Sequence, residues 1–221
     1  MVDILDEVEE DIRHERMMKV VRRYGGFLAL AAILIVLAVA GQELWQAHRT
    51  RVAQQNAVQY LALTEVIDQP GGTITQAVAQ SAAEKLLAFA ANASEIYKTQ
   101  ARMRAAALYA GLNDTPKAAS LWTSVAADEA APVLIRDVAN LLWAQHELQT
   151  AKTEDILARL QPMTQQSNPY HGLARELQAM VYLREGNLPM AKSFFDQVQG
   201  DSTVPSGTRS RAAAMLTELN G

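Results

Sequence analysis

The sequence predicts an all-α protein: a single N-terminal helix of membrane-spanning length, then an array of paired antiparallel helices. Three observations carry this. Alanine is about 17% of the 221 residues while Gly (11) and Pro (7) are scarce, a composition that favours helix because such side chains lose little rotamer freedom there. One block, Tyr24 to Gln42, has no ionisable side chain except the tyrosine. Beyond it apolar residues recur at helical spacing, without strand-like alternation, and clusters of Gly, Pro, Asn and Asp interrupt them at short intervals.

Composition also narrows function. The formal charge of −4 speaks against a general nucleic-acid binder, which needs a basic face to release counterions from phosphates. The absence of cysteine excludes a disulfide scaffold, a thiolate zinc site and a cysteine nucleophile.

The nineteen residues 24–42 would span roughly 28 Å as a helix, close to the ~30 Å hydrocarbon core of a bilayer. A helix satisfies its own backbone groups there without water. A fully buried soluble helix is the plainer alternative, but the alanine-rich remainder offers few large apolar residues to wrap it. Arg13, Arg16, Lys19, Arg22 and Arg23 precede the block and only Arg49 and Arg51 follow closely, which places the N-terminus in the cytoplasm. Tyr24 and Trp45 then fall near the two interfaces. A cleavable signal peptide is the rival, since Ala38-Val39-Ala40 before Gly41 fits the small-residue cleavage pattern. Against it, the preceding 23 residues carry seven acids, and helix continues past Gly41. We therefore expect an uncleaved anchor.

Four segments follow. Residues 1–23 form a cytoplasmic stub in which Ile4 or Leu5, Val8 and Ile12 share one helical stripe. Residues 24–42 are the transmembrane helix. Residues 43–72 extend it outward and stop at Asp68-Gln69-Pro70-Gly71-Gly72. Residues 73–221 form the outer domain, with turn signals at 92–94, 113–116, 128–132, 150–153, 167–169, 186–189 and 200–206, and helices of about 10 to 18 residues between them.

Self-comparison at a shift of 73 lays 101–125 on 174–198 with eight identities in 25 positions: Ala101/Ala174, Arg102/Arg175, Ala106/Ala179, Tyr109/Tyr182, Pro116/Pro189, Ala118/Ala191, Ser120/Ser193 and Val125/Val198. Trp122 also falls on Phe195. A small residue one turn before a large aromatic permits close helix approach, and the aromatic then fills the space between units. Asn113-Asp114 and Gly186-Asn187 suit a tight turn, and Pro116 and Pro189 start the next helix where a missing N–H costs nothing. Seventy-three is about twice the 34-residue tetratricopeptide period plus a few residues. The units resemble tetratricopeptide repeats, which implies an α-solenoid, with a degenerate middle unit near 133–149 and 154–161 and a cap at 206–219.

No catalytic constellation emerges. The four histidines, His14, His48, His146 and His171, lack a second His at ligand spacing, and no P-loop, G-x-S-x-G or G-x-G-x-x-G is present. Asp128/Glu129 and Glu154/Asp155 sit at helix starts, where the dipole favours negative charge. From Glu43 onward 15 Lys/Arg balance 17 Asp/Glu. Neither cofactor nor metal is expected, and what remains is shape: stacked helix pairs present an extended surface for protein partners. Arg102, Arg175, Tyr109 and Tyr182 are the candidate partner-contact residues, with solvated arginines and packed tyrosines the plainer alternative.

The layout as a whole resembles the YfgM-like inner-membrane family, the ancillary subunit of the bacterial SecYEG translocon. The resembling residues are the acidic start Asp6-Glu7-Val8-Glu9-Glu10-Asp11-Ile12-Arg13 with Glu15-Arg16, then Arg22-Arg23-Tyr24-Gly25, the apolar span, Trp45 and the repeat units. The resemblance implies a non-catalytic role in the bacterial inner membrane with a periplasmic repeat domain. Its implied partners are SecYEG, a membrane-anchored periplasmic chaperone of the PpiD type, and exported clients. An envelope-assembly or cell-division scaffold, anchored or released, is the alternative.

Overall fold

The computed structural model describes residues 3–68 and 74–221, with side chains described from Gly26 onward except Leu28 and Ala32. The stripe expected in the stub, the position of Tyr24 and the stop at Gln69-Pro70-Gly71-Gly72 lie outside the described residues. Everything regular among the described residues is helical.

The chain divides into two units, Met1–Gln55 and Asn56–Gly221. Helix α1 covers Asp3–Glu65. In the first unit its apolar side chains face outward: Phe27, Ile33, Leu34, Ile35, Val36 and Leu37 are each more than half exposed. Such a row is unfavourable in water at roughly 25 cal/mol per Å² of apolar surface and loses that penalty in hydrocarbon. The stretch Ala29–Glu65 is long and apolar enough to cross a membrane, with mean hydropathy 1.7 in its most apolar part. Past the apolar run, the Arg49 guanidinium lies 3.7 Å from the Trp45 ring centroid, a cation–π contact one turn apart.

The second unit begins with the last turns of α1 and continues through α2 (Gln76–Ala90), α3 (Glu95–Gly111), α4 (Thr115–Ala126), α5 (Val133–His146), α6 (Thr153–Leu160), α7 (His171–Arg184), α8 (Leu188–Gly200) and α9 (Ser206–Asn220). From α2 on, each helix packs on the next, and α7 also touches α5 and α9. The final turns of α1 join this unit through Asn56 Oδ1, which accepts the Ser94 N–H at 3.1 Å, and through Tyr60, whose ring centroid lies 6.3 Å from Phe89 and 5.9 Å from Tyr97.

Alanine decides how closely these helices approach. Ala101, Ala105, Ala106, Ala118, Ala174, Ala179 and Ala191 are fully buried, and the large side chains at the next turn, Trp122 and Phe195, fill the space between layers. Each such aromatic contributes about 1.5–3 kcal/mol on burial. Trp122 centres the first cluster with Leu86, Tyr109 and Val125. Ile156, Leu160 and Met163 centre the second, and Phe195 the third with Val198 and Val204. Helix α9 closes the array, burying Thr208, Ala212 and Leu216 and turning its remaining face to solvent, as a terminal unit must.

The middle unit lies where the sequence places it: α6 has eight residues, within one residue of 154–161 at each end, while α5 stops at His146, three residues short of 149. Helix α6 tightens into a 3₁₀ turn, Gln161–Thr164. Pro162 has no N–H for the carbonyl four residues back, so the α-pattern cannot continue through it.

Candidate functional site

The 73-residue correspondence is reproduced in three dimensions, atom for atom at its turns. Asn113 has φ +60° and Gly186 φ +72°, the left-handed conformation that Gly and Asn tolerate best. The next N–H closes each turn: Asp114 donates to the Tyr109 carbonyl and Asn187 to the Tyr182 carbonyl, both at 2.9 Å. Asp114 and Asn187 then cap α4 and α8, accepting from the Lys117 and Met190 N–H groups at 3.3 Å.

The four candidate contact residues each have an intramolecular place. Arg102 donates to Asp128 and Arg175 to Asp201, each Nη1 to Oδ2 at 3.3 Å. Arg175 also reaches the Thr164 carbonyl at 2.9 Å. Tyr109 is buried beneath Lys117, whose ammonium stands 4.9 Å from the ring centroid. Tyr182 is half-buried and stacks on Phe194 with centroids 5.5 Å apart.

Each aspartate also organises the loop behind it. Asp128 Oδ1 accepts the Ala130 N–H at 3.1 Å and Asp201 Oδ1 the Thr203 N–H at 3.0 Å. Those donations, led by the Thr203 hydroxyl and backbone, hold the Asp201 carboxyl below its ordinary value. His171 is buried, with Nδ1 2.7 Å from the Asn168 carbonyl and Nε2 3.1 Å from Asp201. Both ring nitrogens are thus committed to the fold, and among the described residues no cluster of three His, Asp or Glu is arranged to hold a metal.

Two larger cavities lie on the odd-numbered helices, and a smaller one of about 310 Å³ lies between the end of α1 and α2. One cavity of about 610 Å³ is walled by α5, α7 and α9, with Phe195 at its floor. A second, about 650 Å³, is walled by the end of α1, α3 and the start of α5. The two are related by the same shift: Gln100, Met103, Arg104 and Ala107 line one, and Leu173, Glu176, Leu177 and Met180 line the other. Leu134 and Ile96 in one, and Leu173 and Met180 in the other, are large apolar groups left exposed. Large apolar groups are exposed elsewhere in this unit too, Leu61, Val133 and Leu188 among them, so what sets these four apart is that they line concavities related by the repeat.

A family model described as a tetratricopeptide repeat-like domain matches residues 20–214. The chain belongs to this family. No curated protein and no solved structure matches it. Tetratricopeptide repeat-like domains are protein-interaction modules and generally non-catalytic. The tetratricopeptide-like unit is also longer than self-comparison over 101–125 indicated. Asp128/Asp201, Pro132/Pro205, Arg136/Arg209 and Ala139/Ala212 continue the register, and the two prolines precede α5 and α9 with nearly identical backbone angles. Each repeat is therefore a three-helix unit, α3–α4–α5 and α7–α8–α9. The signal was present in the sequence as four identities at helical spacing.

Proposed function

We propose that this protein is a membrane-anchored, periplasm-facing interaction module of the YfgM-like type. It works beside the SecYEG translocon and a PpiD-type chaperone in the handling of exported proteins. The observation that carries the proposal is the joining, in one chain, of a helix apolar and long enough to cross a membrane to a repeat domain with a hollowed face. Residues 24–42 serve as the uncleaved anchor with the stub 1–23 in the cytoplasm, residues 43–72 as the outward extension, and residues 73–221 as the periplasmic platform. Tethering raises the local concentration of the platform beside other membrane proteins, so weak contacts suffice. Arg102, Arg175 and Tyr182 contribute to partner contact through their exposed edges, and Tyr109 by holding the turn beneath Lys117.

Crosslinking followed by pull-down from detergent-solubilised membranes tests this: translocon subunits and a membrane-anchored chaperone should be recovered. Recovery of only peptidoglycan-synthesis or division proteins would favour an envelope scaffold instead. Protease added to spheroplasts should remove residues beyond about 45 and spare the stub, following the positive-inside bias. A mature N-terminus at Gly41 would refute the anchor.

A further inference from the structure

Resting on the reading of this domain as an interaction module, we propose that the two repeat-related cavities bind uncharged, apolar stretches of polypeptide and discriminate against charged ones. The lining is apolar, and the charged groups in it are already paired. In the α5/α7/α9 cavity, Arg211 donates from Nε and Nη2 to the two carboxylate oxygens of Glu176, both at 2.7 Å. In the other cavity, Arg104 is ion-paired with Asp68. No further charged residue lines either cavity among the described residues.

The bidentate pair settles the sign of discrimination. Glu176 is only 9% exposed, while the Arg211 side chain is 57% exposed. An acidic ligand that captured Arg211 would strand a largely buried carboxylate, whose desolvation then goes uncompensated. A basic ligand finds both Glu176 oxygens occupied. An apolar side chain disturbs neither, and gains by covering Leu173 and Met180, which are exposed in the empty cavity. The ligand is chain-like because the same hollow recurs on either side of α5, which lends Pro132, Leu134 and Ile135 to one and Leu141, Gln145 and Leu148 to the other. A linear partner with recurring apolar side chains meets both, whereas a compact molecule fills one.

The test uses the full chain in nanodiscs and a fluorescent peptide of alternating leucine and glutamine, with matched peptides in which glutamine is replaced by glutamate or by lysine. The neutral peptide should bind at least about tenfold more tightly than either charged one. Its Kd should hold between about 50 and 300 mM salt, since no charge pair forms on binding. Leu173→Glu and Leu134→Glu should each weaken it about tenfold or more with the unfolding midpoint unchanged. Met190→Glu, an exposed position on α8, should leave it unaltered. Tighter binding of the acidic peptide that is lost in Arg211→Gln would overturn the proposal. So would displacement of the peptide by a fatty acid at equal occupancy, or the absence of binding by any of the three peptides. That last result would leave recovery of translocon partners, which tests the interaction module itself, as a separate measurement.

Discussion

Arg175 on α7 holds Asp201 at the far end of α8 at 3.3 Å, and Arg102 holds Asp128 through the same pair of atoms at the same distance. A helix pair is thereby closed at the end opposite its tight turn. The turn fixes where the second helix leaves, and the ion pair fixes where it finishes. Since each aspartate also shapes the loop into the next helix, one guanidinium sets the angle at which the third helix of the unit is delivered.

The two ties should not be equal. Arg175 makes a second bond to the Thr164 carbonyl and its side chain is the more buried, 20% against 29% exposed. Arg175→Ala should therefore cost about 1–3 kcal/mol, and Arg102→Ala about 1 kcal/mol or less. Denaturant unfolding of the full chain in detergent, followed by helical signal, measures both. Equal losses would mean that the Thr164 contact is idle.

Gly172 and Val204 form a second relationship open to a double-mutant cycle. A Cβ on Gly172 would stand 2.6 and 2.7 Å from the two Val204 methyl carbons, and Val204 is 2% exposed. Gly172→Ala should cost about 1–3 kcal/mol by overpacking. Val204→Ala alone loses stability by leaving a void, yet the double variant should be less destabilised than the sum of the two. Additive losses would mean that the cost of the added methyl does not arise from its contact with Val204.

Much of this was legible from residue types. The Ala-then-aromatic spacing, the turn residues and the helix-start prolines at 116 and 189 each have a local cause, so the paired helices could be read along the chain. The ion pairs could not, because Arg175 and Asp201 are 26 residues apart and nothing local couples them; only their joint recurrence at 102 and 128 betrays the link. The extent of α6 was legible as well, since the expected 154–161 and the observed Thr153–Leu160 differ by one residue at each end. The cavities were the least readable. A hollow depends on which side chains fail to meet, and that follows from how α5, α7 and α9 splay rather than from any one residue.

The left-handed turn positions make a directional prediction. Asn113 holds φ +60° with a Cβ, while Gly186 holds φ +72° without one. Asn113→Gly should be neutral or slightly stabilising, and Gly186→Ala should cost about 1 kcal/mol. Nothing lies within 4 Å of a Cβ at Gly186, so any loss there reports backbone strain and not a clash. Thermal unfolding midpoints of the two variants decide it. A loss from Asn113→Gly larger than that from Gly186→Ala would show that the asparagine side chain has a role of its own.

Three carboxylates predict how the fold responds to acid. Asp201 is held below its ordinary value of 3.8 by the Thr203 hydroxyl and N–H and by His171. Asp114 is lowered by the Lys117 ammonium and N–H. Glu185 is lowered from 4.5 by the Thr153 hydroxyl and then Arg184. A folded-state value below the unfolded one means that the folded chain binds fewer protons, so these groups add stability that is complete above the ordinary carboxylate range. It is lost as pH falls through the lowered folded values. Unfolding midpoints should therefore show no pH dependence from these three groups between about pH 6 and 8, where their contribution is complete, and should drop below about pH 4. Asp201→Asn should be less stable than the wild type at neutral pH and converge toward it in acid, because protonation has by then removed the same charge from the native residue. A gap that stays constant down to the acid limit would place the contribution of Asp201 in its neutral hydrogen bonds and not in its ionised form.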